Sequence, residues 1–236
     1  MAIQKSEAIV LRRQEVRETS LILVAFTREL GKVRGLLKGV RGARAAVPWY
    51  LEPLTLQTMV LYERKRSGLA LISSCDLLDA FDPIRRDFAR LAYAGFALDL
   101  VDAMTEIGDP HPELYRLLLG TLKGLSEGIA PRLAARFLEA RLLQEIGLLP
   151  SAASLPVSAG ARLSVQRILQ TPPEELGRFR LAGEVEQELR FFFCGLLRNA
   201  LGRELKSRLF LVSAGLEGPT GRPQPAAGRP SAVAAR

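Results

Sequence analysis

Over the first 78 residues the apolar positions come in short runs without a helical period. "EAIVLRR" at 7–13 is followed by "SLILVAFT" at 20–27, a near-continuous β-branched and aromatic run that predicts a strand covered on both faces. After a turn at "RELG", with Gly31 placed to end it, "KVRGLLK" alternates. In a strand, Val33, Gly35 and Leu37 share one face, while Lys32, Arg34 and Lys38 share the other and are expected to meet solvent. "LEPLTLQTMVLYE" puts Leu54, Leu56 and Val60 on a common face, and "GLALISSCDLL" supplies a fifth strand. Five short strands in roughly 75 residues predict a small antiparallel barrel of the OB-fold kind, with an SH3-like barrel as the structural rival.

At "DAFDPIRRDF" the spacing lengthens to that of a helix. Asp82 is placed to cap it with Pro83 at its first position, and Phe88, Leu91, Ala92, Gly95 and Leu98 continue its pattern to about Glu106. A second helix is predicted in "DPHPELYRLLLGTLKGLSEG", ending at Gly128, and a third in "APRLAARFLEARLLQEIG", ending at Gly147. A loop at 148–160, a short helix at 161–170 and a "TPPEEL" turn lead to the longest helix, 183 to 207, with an apolar stripe through Leu189, Phe193 and Leu197. The fold class is therefore α+β and multidomain. A five-stranded OB-fold barrel is expected at 1–80, an all-α helical domain at 81–212, and a disordered Pro/Gly/Ala-rich tail at 213–236.

Charge changes this picture by its location. The chain of 236 residues has a net charge of +8, and residues 1–80 hold 13 Lys and Arg against 8 Asp and Glu, whereas residues 81–212 hold 17 against 16. The segment "GKVRGLLKGVRGARAAVPWY" at 31–50 contains five cations, four glycines and no acid. A solvated surface mixes its signs; a stretch of one sign points to an anionic partner. Cations neutralise phosphates, and glycines between them let the backbone approach a sugar-phosphate chain. Trp49 and Tyr50 follow directly, and Trp49 suits either stacking on a base or filling the barrel core.

The sequence carries no recognisable catalytic motif. Neither a GxxxxGK[ST] loop nor a dinucleotide fingerprint occurs. The single histidine, His111, sits between prolines at a helix start and reads as a surface or capping residue. The carboxylates of Asp99, Asp102, Glu139, Glu145, Glu184 and Glu188 read as solvated helix faces, and a two-metal site would need them gathered round a cleft. Cys75 and Cys194 lack CxxC partners and read as small buried side chains, so no zinc site or disulfide is expected. The start "MAIQKSEAIVLRR" has no apolar signal region, and no run approaches 18 apolar residues, which predicts a cytoplasmic protein without a membrane partner. No enzyme activity and no cofactor are expected.

The motifs also resemble a known family. The run "EAIVLRRQEVRETSLILVAFTRELGKVRGLLKGVRG", then "LEPLTLQTMVLYER", "RRDFARLAYAGFALDLVDAMT", "HPELYRLLLGTLKGL", "RFLEARLLQEIGLLP" and "LKSRLFL", in that order over residues 3 to 212, resembles the bacterial recombination mediators of the RecO family. The resemblance implies an N-terminal OB-fold, a helical domain and, in many members, a zinc module with two CxxC pairs. At that module's position this chain reads "LLPSAASLPVSAGARLSVQ", without a cysteine, so the module is expected to be absent.

The implied role is in DNA repair and recombination after DNA damage, in the nucleoid-containing cytoplasm of a bacterium. It comprises binding of single- and double-stranded DNA, annealing of complementary strands and, with RecR, assistance to RecA on DNA coated by single-stranded DNA-binding protein (SSB). Lys38 and Arg41 match the family's "KGxR" motif, with Arg44 close behind; Lys32 and Arg34 join them from strand alternation alone. Arg136 matches a basic position near the acidic, Phe-ending tail of SSB, and Arg132 lies one turn earlier on the same face. Arg203, Lys206 and Arg208, in "GRELKSR", suit domain packing as well as DNA contact. An RNA-binding or ribosome-associated OB-fold is the alternative, because phosphate contacts do not distinguish the two nucleic acids. Neutralising about five phosphates of single-stranded DNA implies a log–log salt slope near −3.5.

Overall fold

The computed structural model describes residues 3–16, 19–40, 49–62 and 69–218, residue 49 by its backbone alone. Five strands, β1 (Ile3–Val16), β2 (Ser20–Thr27), β3 (Gly31–Leu37), β4 (Leu56–Tyr62) and β5 (Ala70–Asp79), close a barrel in the order β1-β2-β3-β5-β4. All pairs are antiparallel except β3 with β5. Closure depends on the length of β1. Its 14 residues pair with β4 over Ile3–Ile9 and with β2 over Ala8–Val16, and a register shift between Val10 and Arg12 lets the strand bend from one partner to the other.

The apolar run of β2 is covered on both faces, as its composition predicts. Leu21, Leu23 and Ala25 fill the barrel together with Ala8, Val10, Met59 and Leu61, whereas Val24 and Phe26 pack outward into the helical core. In β4 Leu56 faces outward into the core shared with the helices, and alternation puts Val60 on that same face. Met59 and Leu61 point inward with the fully buried Gln57, while Val60 is only partly buried. Leu54 has φ 63, so the extended run starts only at Leu56. The inward set opens on a polar residue that a hydrophobic count passes over. Gln57 Nε2 donates to the carbonyl of Tyr50 and to Thr55 Oγ1.

Among the described residues seven α-helices follow: α1 (Asp82–Arg85), α2 (Phe88–Met104), α3 (Pro112–Ser126), α4 (Pro131–Glu145), α5 (Ala159–Gln170), α6 (Gly183–Leu201) and α7 (Lys206–Ser213). Two of the expected helices are divided. The first breaks because Asp87, not Asp82, caps the long helix, accepting a hydrogen bond from the Arg90 amide at 2.9 Å. The last breaks at Gly202, which adopts φ 68 and ends α6, so that α7 packs separately on α2. Helix α4 is the centre of the bundle and is buried from Leu133 to Ala140 without interruption.

The outer face of the barrel shares a core with the helices, separate from the barrel interior. Ile9, Leu11, Val24, Phe26 and Phe81 belong to the same apolar cluster as Tyr115 and Phe137. The tightest approach is at Gly31, φ 66, where a β-carbon would lie 1.9 Å from the carbonyl oxygen of Asp109. Gly31→Ala is expected to cost about 1–3 kcal/mol through combined strain and clash, read as a lowered urea midpoint at constant slope. The packed chain also continues past the expected start of the tail at 213. Residues 214–218 fold back onto the helices, and Glu217 is buried there; the remainder of that tail, 219–236, lies outside the described residues.

Candidate nucleic-acid interface

The register of β1, β2 and β3 sets Arg12, Val24 and Arg34 side by side on the outer face of the barrel, with Phe26 and Lys32 in the next row. Arg34 is exposed, as is Lys38 just beyond β3. Lys32 departs from the expectation. Its side chain is only 10% exposed, with Nζ 3.1 Å from the Asp102 carboxylate and 2.6 Å from the Asp102 carbonyl oxygen. Alternation assigned Lys32 to the correct side of the strand, but at that row α2 covers it. Asp102 serves as its partner and accepts Arg12 Nε at 2.8 Å as well.

Lys32 therefore leaves the set of phosphate-facing cations and joins the contact between barrel and helices. Lys32→Ala is expected to lose about 1.5–3 kcal/mol of stability and leave the salt dependence of DNA binding unchanged. Arg34→Ala is expected to do the reverse, flattening the log–log slope by about 0.7 at constant stability. Thermal melts and salt titrations of the two variants check this.

Topology gathers more at this end of the barrel. Leu21 pairs with Leu37, so the start of β2 lies beside the exit of β3, and Gly35 pairs with Ala70, which brings the start of β5 there too. Tyr62, at the end of β4, pairs with Leu71 at the same place. Arg41 and Arg44 follow β3 in sequence but lie outside the described residues. Trp49 begins a short turn, Trp49–Leu51, and nothing described places its ring. A further basic run that strand alternation does not point to, Arg64, Lys65 and Arg66, stands between Tyr62 and Ala70, recognisable in the sequence by adjacency alone.

The second candidate face is on α4. Arg132 is exposed and donates through Nε and Nη2 to the carbonyl oxygen of Leu216, at 3.0 and 2.8 Å. It borders a cavity of about 650 Å³ that also contains Ile129, Leu133, Arg180 and Leu181, and a smaller recess of about 230 Å³ with Arg190 and Glu217. Arg136, expected beside it, is wholly buried. Its guanidinium meets Glu139 at 2.7 Å, Glu217 at 2.8 Å and Glu186 at 3.4 Å. Arg208 completes the cluster against Glu139 and Glu217 and lies over the Phe96 ring at 4.6 Å. Burial, and then the neighbouring Arg136, bring the Arg208 guanidinium down to about 10, against the pull of Glu217.

Two expectations are corrected here. Glu139 is not on a solvated face, and Arg136 is not a free surface cation; each is the other's partner one turn along α4, at the centre of the bundle. Arg208 packs inside the domain, while Arg203 and Lys206 of the same motif are exposed.

Comparison with known proteins bears on both faces. The family model "Recombination protein O N terminal" matches residues 1–81, and "Recombination protein O C terminal" matches residues 85–154. A protein of Moorella thermoacetica named DNA repair protein RecO is 34% identical over 211 residues, which cover 89% of this chain and 70% of that one. The chain belongs to the RecO family.

Relatives of the same name occur in Geobacter sulfurreducens, 36% identical over 143 residues covering 61% of this chain and 58% of the relative, and in Anaeromyxobacter sp. strain K, 27% identical over 245 residues covering 89% and 96%. The N-terminal RecO match spans the whole barrel with Arg34 and Lys38, and the C-terminal match spans α2 to α4 with Arg132 and Arg136. Helices α5 to α7 and Glu217 lie beyond it. Their contribution was the least legible in the sequence: Glu217 is the single acid in residues 213–236 and stands alone among small residues.

The remaining candidates have structural surroundings. His111 occupies the residue before α3, as a capping position requires, but its ring does not cap; Nε2 lies 2.9 Å from Asp109. Burial, and then Asp76, push the Cys75 thiol up to about 12, and burial raises the Cys194 thiol beside Arg198 and Glu204. Cys75 is only partly buried, whereas Cys194 is buried. No described helix is long and apolar enough to cross a membrane.

Proposed function

We propose that this RecO-family protein is a non-catalytic DNA-binding mediator of recombinational repair, acting on the bacterial nucleoid. It binds single- and double-stranded DNA along the β3 end of the barrel and anneals complementary strands. With RecR it assists RecA in replacing SSB. The observation that supports this best is the pair of exposed cations, Arg34 and Lys38, on β3 and at its exit. In OB-folds generally, the face of strands 2 and 3 and the loops after strands 1 and 4 hold oligonucleotides.

Annealing needs no bond chemistry. Two phosphate backbones repel, and a cationic surface lowers that repulsion while the bases remain free to sample pairing. With Lys32 engaged by Asp102, four cations remain for phosphate: Arg34, Lys38, Arg41 and Arg44. The expected slope for single-stranded DNA moves accordingly from near −3.5 to about −2.8.

The acidic tail of SSB is proposed to enter at Arg132, with its terminal aromatic residue in the cavity between Ile129, Leu133 and Leu181. The test of the whole reading is annealing of SSB-coated complementary strands with and without the protein. No acceleration would sink it. Matched DNA and RNA competitors in the same binding assay separate it from an RNA-binding role. Trp49 is the chain's one tryptophan, so its fluorescence reports directly on stacking. Quenching by single-stranded DNA is expected if the ring meets bases, and an unchanged spectrum if it fills the core.

A further inference from the structure

The last three described residues occupy a cradle of arginines. The Leu216 carbonyl accepts from Arg132 and from the Tyr93 hydroxyl, the Glu217 carboxylate lies between Arg136 and Arg208, and the Gly218 carbonyl accepts from Arg190 Nη1 at 2.6 Å. Two of these three positions use only a backbone carbonyl, and the third only a carboxylate. Any extended peptide with one well-placed acid presents the same groups. The segment is joined to α7 through Gly215, whose φ of 71 makes it the natural pivot, and the amides of Leu216 and Glu217 return to the carbonyl of Leu211 at 2.9 and 3.1 Å.

We propose that Leu216–Gly218 is a built-in competitor: an acidic strap that holds the arginine cradle until an acidic peptide from a partner displaces it. The proposal rests on the reading of Arg132 as an acidic-tail site and adds how that site is controlled. Charge gives the selectivity. Arg136 and Arg208 are neutralised inside the domain by Glu139 and Glu217, with Glu186 and Glu204 at the rim. A ligand that brings its own carboxylate replaces Glu217 without leaving a buried guanidinium short of a partner. A neutral peptide of the same shape leaves one uncompensated. Burial of Glu217 beside the recess shared with Arg132 and Arg190 puts the incoming and resident acids in the same place.

The experiment uses the full chain, a nine-residue peptide carrying four aspartates and a C-terminal phenylalanine, and a control with asparagines in place of the aspartates. Hydrogen exchange is followed at the Leu216 and Glu217 amides. Binding of the acidic peptide is expected to speed exchange at both amides, and the control to do nothing. A chain shortened to end at Gly215 is expected to bind the acidic peptide at least about tenfold more tightly, because the competent state is no longer a minor one. Glu217→Gln in the full chain is expected to shift affinity the same way by a smaller factor. If the peptide binds while the two amides stay protected, the strap is not a competitor, and the acidic-tail reading survives without it. Failure of the peptide to bind either the full or the shortened chain overturns both.

Discussion

Changing Lys38, Arg41 and Arg44 together to alanine is expected to lower affinity for single-stranded DNA about a hundredfold at 0.1 M salt and to flatten the log–log slope from about −2.8 to about −0.7. The two numbers come from one source. Each neutralised phosphate of a single strand contributes about 0.7 to the slope, and that ionic contribution vanishes near 1 M salt, so three lost contacts weaken binding by about two decades at one tenth of that. The loss should be uniform across sequences, because phosphate contacts carry no base information. Fluorescence anisotropy with a labelled oligonucleotide at four salt concentrations measures both quantities. A hundredfold loss with an unchanged slope would show that the substitution damaged the fold rather than the charge, and a circular-dichroism melt would reveal it. Unchanged affinity at low salt would remove the β3 exit from the site.

Arg136→Ala is expected to destabilise the chain by about 3–5 kcal/mol and lower its melting temperature by roughly 10 °C. The magnitude reflects what is left behind. Glu139 and Glu217 would remain fully buried, with Arg208 as their shared counter-ion in the core. Removing one member of a buried charged group strands its partners in a medium that solvates them poorly. The double variant Arg136→Met, Glu139→Leu removes one charge of each sign and is expected to cost less than the single substitution. That ordering, read from urea unfolding, separates stranded charge from lost packing, since the double variant changes more atoms. A loss below about 1 kcal/mol for Arg136→Ala would place the group in a solvated environment after all.

Much of the architecture was legible because it depends on neighbours along the chain. The two-sided burial of β2 follows from its unbroken apolar run, and α3 and α4 follow from Pro112 and Pro131 at their first positions with matching apolar spacing. Errors in the elements were local as well. The break before α2 arises because two aspartates compete for the cap and Asp87 holds it.

The candidate sites were less legible, for a different reason. Strand alternation placed Lys32 and Arg34 together, but α2, some 70 residues on, supplies Asp102 to one and nothing to the other. Helix spacing placed Arg132 and Arg136 on one face of α4; Glu217, 81 residues beyond Arg136, makes that face interior for the second.

The sequence by itself determined the succession of strands and helices, which side of a strand a side chain takes, and that positive charge concentrates near β3. Only the tertiary structure decided which of those charges are available to a partner. Side-chain direction depends on local backbone geometry, with periods of 2 and 3.6 residues, whereas the pairing of a charge depends on whichever distant element packs over it.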